Sequence, residues 1–422
     1  MERHIPELNM PILNTKHWPS VLSYSQQFPN SFNKITWHDG IPRYFGYRDF
    51  TDTDYWYMEI LHGDAFFLNP IETLVPEETL RRIRDGEVVL VVCHSSEAYH
   101  SIIDEIYQYL IVPGAVPATQ ILLMTNSPDI GKEIDHISKK YAFPPIKAEW
   151  IIEFEWCAAE LARRTKHLSA AQNVNAVNTL AHPVYQKKFL SFNGQPRRHR
   201  ILLMGLLSAH DLLSYGHISY NCYIYNSDTA KLPTGLDYYV SMLDWSQSHP
   251  DVVDLLTNNA ERVSRLESMY LDTSPKTQRS MGGLGDTKKE FYEDTYFSVV
   301  TETACFAGCD SKGGETGVGR ILSEKTFKAI INRHPFIILG VPKTLELLKE
   351  LGYKTFSPWI DEGYDGETDD VLRTHMVAKE VKKLAELPDD KLAEFLVFAR
   401  EIVEHNFNNL KSKTETVSVP LT

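Results

Sequence analysis

Ser323–Gly340 reads SEKTFKAIINRHPFIILG. Its first half sets apolar residues at helical spacing behind a serine suited to cap a helix. Its second half, PFIILG, is an unbroken apolar run closed by glycine, the pattern of a strand buried on both faces. A helix that feeds straight into such a strand is one beat of an alternating α/β fold. The odd feature is the adjacent Glu324 and Lys325 at the mouth of the helix. A glutamate there suits the positive helix end, whereas a lysine opposes it.

The same rhythm extends outward. EVVLVVCHSSEA (87–98) and ATQILLMTNSPD (118–129) read as buried strands ending in polar residues, with HSIIDEIYQYLIV (100–112) as a helix between them. Ile130 to Lys140 reads as the next helix, and AEWIIEFEWCAAE (148–160) as a third strand. Residues 1–80, rich in aromatics and turn formers, read as an irregular lead-in packed on this first domain. From about Tyr185 the pattern restarts, in KKFLSFNGQPRRHRILLMGLLSAHDLL (187–213), HISYNCYIYN (217–226), TYFSVVTETA (295–304), the opening stretch itself and PKTLELLKELG (342–352). After Asp369 helical patterns dominate. The predicted fold is α/β with two Rossmann-like domains, at 1–184 and 185–368, and C-terminal helices at 369–422. Two such domains facing each other leave a cleft lined by the carboxyl ends of their strands.

Composition narrows the classes of function. The chain has 422 residues, too many for one ordinary core, with 43% hydrophobic and 23% charged residues. No apolar run approaches the roughly 18 residues of a membrane helix, and the first residues lack the apolar core of a signal peptide. The five cysteines contain no C-x-x-C pair, which suits a reducing cytoplasm and no zinc framework. A net charge of −13 disfavours broad adhesion to nucleic acid, though a local basic groove is compatible with it.

Four constellations carry chemistry. In FLSFNGQPRRHR (189–200) a strand ends at Asn193, and Arg197, Arg198 and Arg200 stand before a helix. Guanidinium forks beside a helix N-terminus suit phosphate oxygens, against the alternative of a solvated basic turn. The second pairs Glu302, at the end of a β-branched strand, with Ser323, Glu324 and Lys325. Ser323 and Glu324 make a good cap by themselves. Lys325 is accounted for if it neutralises a diphosphate while Glu302 or Glu324 accepts from ribose or sugar hydroxyls. The glycines between them (Gly308, Gly313, Gly314, Gly317, Gly319) do not form a G-x-x-x-x-G-K-[ST] phosphate loop. The third, WIDEGYDGETDD (359–370), lacks EF-hand spacing and reads as a solvated linker sooner than a metal site. The fourth is Cys93–Glu97 at a strand end, where His94 and Glu97 are candidates for a general base, with Asp39 and Glu153 behind them. A lone strand-end histidine is more often structural.

Val300-Thr301-Glu302-Thr303, Ser323-Glu324-Lys325-Thr326 and the run PFIILGVP (335–342) together resemble the donor-binding half of GT-B glycosyltransferases, fucosyltransferase-like ones most of all. The F-L-S-F-N and S-E-K-T-F-K blocks are also similar to those of uncharacterised glycosyltransferase-like proteins of large bacteriophages. The resemblance spans about residues 185–365, roughly one domain. Thr303 stands where the fucosyltransferase pattern has asparagine, and the loop to Ser323 is longer and richer in glycine.

The resemblance implies a metal-independent cytoplasmic transferase. Its second domain is expected to hold a UDP- or GDP-sugar through Asn193, Arg197, Arg198, Arg200, Ser323, Glu324 and Lys325. His94, Glu97 and Glu302 are the catalytic candidates. The expected acceptor is a glycan, a protein or a modified base of DNA, with no membrane span. The alternatives are another α/β phosphate or nucleotide enzyme, and a non-catalytic host-interaction protein on a degenerate transferase fold.

Overall fold

The computed structural model describes residues 54–59, 70–94, 101–150, 152–164, 185–194, 196–221, 234–271, 289–305 and 319–413. These form a mixed α/β protein with two four-stranded, all-parallel sheets. Asp39, Glu97, Gly308, Gly313, Gly314 and Gly317 lie outside the described residues.

The first compact unit lies within 54–153. Its sheet is built from β1 (Asp54–Glu59), β2 (Val88–His94), β3 (Ile121–Thr125) and β4 (Lys147–Trp150), adjacent in chain order. β2 and β3 are the apolar runs of the sequence, and Leu90, Val92 and Leu123 are buried in one cluster with Ile103 and Ile134. Those two come from helices α2 (Ser101–Ile106, prolonged by a π turn at Tyr107–Ile111) and α3 (Ile130–Tyr141), and α1 (Glu77–Arg84) adds Leu80 and Ile83 to the same cluster. The buried Tyr107 hydroxyl donates to Pro144 O at 2.8 Å and accepts from Ile146 N at 3.1 Å, so its polar tip is satisfied inside the core.

Two expectations for this half need correction. The lead-in is not wholly irregular, because DYWYME forms β1 and pairs with β2 from Asp54↔Val88 to Glu59↔Cys93. The third strand is shorter than AEWIIEFEWCAAE, occupying KAEW alone. The remainder turns into helix α4 (Glu153–Arg164), where Ala158, Ala159 and Ala162 are buried at helical spacing. Alanine is the strongest helix former, and its small side chain lets the helix sit close to its support.

The second compact unit lies within 154–305 and 320–413. It takes in α4, ahead of the expected 184/185 boundary, and the C-terminal helices that the sequence set apart. Its sheet runs β6-β5-β7-β8, with β5 at Phe189–Asn193, β6 at Gly216–Tyr220, β7 at Phe297–Thr301 and β8 at Phe336–Leu339. Helix α5 (Arg198–Ala209) follows β5 and is buried from His199 to Ala209, as an all-round apolar helix must be. Between β6 and β7 lie α6 (Gly235–Trp245) and α7 (Pro250–Asn258), which the strand–helix rhythm did not foresee. Gly205 lets α6 approach α5, since a Cβ there would stand 2.2 Å from Met242 Sδ.

Helix α8 (Glu324–Ile331) precedes β8, and α9 (Thr344–Glu350) follows it. The C-terminal helices α10 (Asp370–Ala385) and α11 (Asp389–Ser412) pack back on this unit, α10 against α5 and β8, α11 against α8. Arg373 of α10 shows why they belong to it. Its guanidinium is 1% exposed and donates to Gly340 O at 2.9 Å, Glu367 O at 2.8 Å and Cys305 O at 2.5 Å, with Asp370 as its carboxylate partner. Asn406 of α11 adds a two-way amide pair with Lys354, at 2.8 and 2.9 Å. α4 is tied in by Tyr353, whose hydroxyl donates to Glu155 at 2.7 Å.

Candidate functional site

In the second sheet the chain steps from β5 to β6 on one side, then returns to place β7 on the other. The boundary between β5 and β7 is therefore a topological switch point, where open α/β sheets leave a crevice. Here the crevice is widened by the ladder itself. β5 and β7 pair at only two positions, Phe189↔Phe297 and Leu190↔Ser298. Beyond them side chains span the gap: Ser191 Oγ donates to Val299 O at 3.1 Å, and Thr301 Oγ1 donates to Asn193 Oδ1 at 2.8 Å. A cavity of about 240 Å³ opens there, walled by both strands and by the starts of α5 and α8.

The α5 wall divides the basic cluster. Arg197 and Arg200 line the cavity, three residues apart on one helical face. Arg200 is only 2% exposed, and its Nη2 donates to the carbonyls of Thr301 (3.2 Å) and Glu302 (3.1 Å). His199 Nε2 donates to the same Glu302 carbonyl at 2.9 Å. Burial, with the nearby Arg200 and Arg197 charges, holds the His199 imidazole well below its ordinary pKa, so it acts as a neutral donor. Arg198 is turned away from the cavity. It is exposed, with its guanidinium 5.6 Å from the centre of the Trp245 ring. Asn193 also faces inward, fully buried between Ser191, Thr301 and Met204. Neither residue meets the expectation that it holds a ligand in this cavity.

The α8 wall explains the opening stretch. Ser323 caps the helix, its Oγ accepting from Lys325 N at 3.4 Å. The negative partner of this helix end is Glu302. Its carboxylate accepts from Ser323 N at 3.1 Å, Thr326 Oγ1 at 2.6 Å and Thr303 N at 3.1 Å, at 0% exposure. An anion fixed on a helix N-terminus needs no ligand. Glu302 is thus a structural counter-ion here, and the expectation of a catalytic or hydroxyl-binding carboxylate is corrected by that geometry. Lys325 is satisfied locally. Its Nζ donates to Glu324 Oε1 at 2.7 Å, Thr303 Oγ1 at 3.0 Å and Ser323 Oγ at 3.2 Å. Glu324 is the carboxylate that does line the cavity. Burial acts to raise its pKa, but Lys325 and Lys328 outweigh that and keep it below the ordinary carboxyl value.

Among the described residues the cavity therefore gathers Arg197, Arg200, Lys325 and Lys328 against one lining carboxylate, Glu324, in a chain of net charge −13. Such a cluster at two helix starts is suited to a multiply charged anion. Lys328 was not singled out in the sequence, although its place one helical turn after Lys325 puts both on one face. Tyr292 and Ser298, also in the wall, carried no motif that would have marked them, whereas Phe192 and Thr303 stood inside the quoted blocks without being singled out as site residues.

The other expected residues sit elsewhere. His94 closes β2 in the first unit, 1% exposed and opposite Thr125 in the ladder, while the cavity lies wholly within the second unit. Glu153 begins α4. The acidic stretch proves structural. Glu362 accepts from the backbone of Phe356 and Ser357, Asp365 caps α9 through Leu345 N at 2.8 Å, and Asp369 caps α10 through Leu372 N at 2.8 Å. Among the described residues no group of three or more His, Cys, Asp or Glu is arranged to hold a metal ion. No described helix is long and apolar enough to cross a membrane. Comparison with protein-family models and with curated proteins finds no match to the chain.

Proposed function

We propose that the chain is a glycosyltransferase of the GT-B kind, moving a sugar from a nucleotide diphosphate donor to an acceptor hydroxyl. The observation that carries this is the switch-point cavity, where cations from two helix starts line the wall together with the Glu324 carboxylate. In this reading Arg197, Arg200, Lys325 and Lys328 hold the diphosphate, and Glu324 accepts from a sugar or ribose hydroxyl. The acceptor oxygen gives up its proton to a base and bonds to the anomeric carbon. The bond from that carbon to the phosphate oxygen breaks, and its electron pair leaves with the nucleoside diphosphate. Fixed cations aimed at that developing charge supply the main stabilisation of the transition state.

The finer reading of the fold, two Rossmann-like domains about a cleft, belongs to the same proposal. So do the acceptor (a glycan, a protein or a modified DNA base), the use of His94 or Glu97 as the base, and a cytoplasmic setting in a phage-infected host. The resemblance of SEKT and PFIILGVP to donor-site blocks supports these assignments. A second reading, another phosphate-ester enzyme of α/β type, is favoured by the same cations, which recognise phosphate whatever it carries.

A thermal-shift panel of UDP-, GDP-, CMP- and dTDP-sugars tests the proposal, because a ligand of the native state raises Tm by linkage. At least one donor is expected to raise Tm in the wild type and to lose most of that effect in Lys325→Ala. No shift with any donor sinks the transferase reading. A shift with inorganic pyrophosphate and a simple phosphate ester, but none with the sugar donors, favours the second.

A further inference from the structure

Strand β5, FLSFN, carries two polar residues, Ser191 and Asn193, that are 1% and 0% exposed. Polar groups so deeply buried cost free energy unless their atoms find partners. Their neighbours Leu190, Phe192 and Gly194 line the cavity, whereas Ser191 and Asn193 do not. Alternation along the strand thus turns both polar side chains to its other face, where Asn193 Nδ2 lies 3.9 Å from Met204 Sδ of α5.

There they continue the pairing of β5 with β7 by other means. The ladder itself joins only Phe189↔Phe297 and Leu190↔Ser298. Ser191 with Val299 and Asn193 with Thr301 keep the same offset of 108 residues, but through side chains. The protons of this relay can be placed from one end. The Val299 carbonyl can only accept, so the Ser191 hydroxyl donates to it at 3.1 Å. Ser191 Oγ then offers lone pairs alone to Asn193, which must present Nδ2, at 3.0 Å. Oδ1 is left facing Thr301, whose hydroxyl donates to it at 2.8 Å. The backbone carbonyl of Thr301 in turn receives Arg200 Nη2 at 3.2 Å, and Arg200 lines the cavity.

We propose that this relay is a spacer that fixes the reach of Arg200 into the cavity, with Asn193 as a positioning residue for the anion held there. This rests on the diphosphate reading above and adds a residue that acts on the ligand without touching it. A side-chain bridge spans a wider gap than a direct N–H to C=O bond, so the strands stay apart where the cavity opens and are still tied. The far end of the bridge places the Thr301 carbonyl, which anchors the guanidinium together with Glu302 O at 3.1 Å. A planar fork binds an oxyanion well only in register with it, so a small displacement of Arg200 costs affinity.

The test is isothermal titration of the full chain with inorganic pyrophosphate. Asn193→Ala is expected to weaken binding about tenfold, the worth of one hydrogen bond to a charged group. Thr301→Val, which keeps the shape and removes the donor, should lose as much. Thr301→Ser restores the hydroxyl and should bind within about twofold of wild type. A merely structural role would lower Tm in these variants and leave the affinity of the folded protein unchanged. Two double variants read the route. Arg200→Lys cannot grip both carbonyls, so in that background Asn193→Ala should weaken binding by less than about twofold. Lys328 stands on the other wall, so the losses from Lys328→Ala and Asn193→Ala should multiply to about a hundredfold. If the Arg200→Lys proteins do not fold, the contrast between Thr301→Val and Thr301→Ser decides. Unchanged affinity in Asn193→Ala and Thr301→Val overturns the spacer and leaves the diphosphate reading standing. An equal loss from Thr301→Ser overturns it too, as does an undiminished effect of Asn193→Ala in the Arg200→Lys background. If the wild type binds no pyrophosphate, the diphosphate reading itself falls, and the spacer with it.

Discussion

The Thr326 hydroxyl donates to the Glu302 carboxylate at 2.6 Å, and both residues are fully buried. With Ser323 N on the same carboxylate at 3.1 Å, this bond fastens the start of α8 to the end of β7. The backbone carbonyl of Glu302 simultaneously receives His199 and Arg200 from the start of α5. One residue thus sets the spacing of the two cationic walls. Its place in binding is indirect.

Glu302→Ala strands the Ser323 amide and the Thr326 hydroxyl in the interior. A loss of about 3 kcal/mol of stability is expected, and about 1–2 kcal/mol for Thr326→Val, which removes one hydrogen bond to a charged group. Urea unfolding curves measure both. A Glu302→Ala protein within about 0.5 kcal/mol of wild type would contradict a structural counter-ion, since that is the scatter of a neutral surface change.

The arginines should separate by function. Arg197→Ala and Lys328→Ala are each expected to weaken pyrophosphate binding about tenfold, the lower end for a hydrogen bond to a charged group. Arg198→Ala should change it less than about twofold, because Arg198 is exposed, does not line the cavity and sits over the Trp245 ring, so that it offers a solvent-screened charge and no hydrogen bond to the ligand. Titration at two salt concentrations completes the measurement: raising salt should weaken the wild type more than Lys328→Ala. Equal losses from Arg197→Ala and Arg198→Ala would show that the cluster acts as a diffuse basic surface.

That separation of arginines was legible in principle. At 3.6 residues per turn, positions 197 and 200 share a face and 198 rotates off it. The strands were legible too, because parallel strands covered on both faces read as apolar runs such as VVLVVCH and FIIL. The cap at Ser323 was local and correctly read from its neighbours. Long-range partnerships were hidden. Nothing near Glu302 in the chain announces that the amide of Ser323, twenty-one residues on, will close over it. Lys325 looked unexplained for the same reason, since one of its partners, Thr303, comes from the far side of that loop. β1 was missed because DYWYME lies among turn formers and lacks the β-branched run that marked the other strands.

Arg373 makes a third prediction, on how the C-terminal helices are held. Its guanidinium serves three backbone carbonyls around the carboxyl ends of β7 and β8, together with Asp370. Arg373→Met leaves the Asp370 carboxylate without its guanidinium and should cost about 3–5 kcal/mol, as for a broken buried pair. Arg373→Lys should restore little of this, because a point-like ammonium cannot reach carbonyls spread around a planar fork. Burial pushes the neighbouring Cys305 thiol up to about 12, so alkylating reagents should find it inert while the native state persists. Rapid labelling of Cys305 in the native wild type would show that α10 opens on its own.

His334 gives the last prediction, a dependence of stability on pH with a definite sign. Burial lowers its pKa from 6.5 to about 4, only partly opposed by its hydrogen bond to the Thr295 carbonyl. Above pH 6.5 the imidazole is neutral in the native and unfolded chains alike, and the stability it permits is fully present. Between pH 6.5 and about 4 the unfolded chain takes up a proton that the native state refuses. Unfolding is then favoured increasingly as pH falls, by up to about 1.4 kcal/mol per pH unit for one proton. In His334→Gln the amide can still donate to Thr295 and accept from Ser298 but cannot titrate. Its stability should therefore fall less steeply over this window, by up to about one proton's worth of slope. The difference between the two proteins isolates His334, because buried His199 is shifted in the same direction in both. Urea midpoints at half-unit steps from pH 6.5 to 4.5 resolve the two slopes. Coincident slopes would mean that His334 takes up its proton as readily in the native state as in the unfolded chain, against the burial that lowers its pKa.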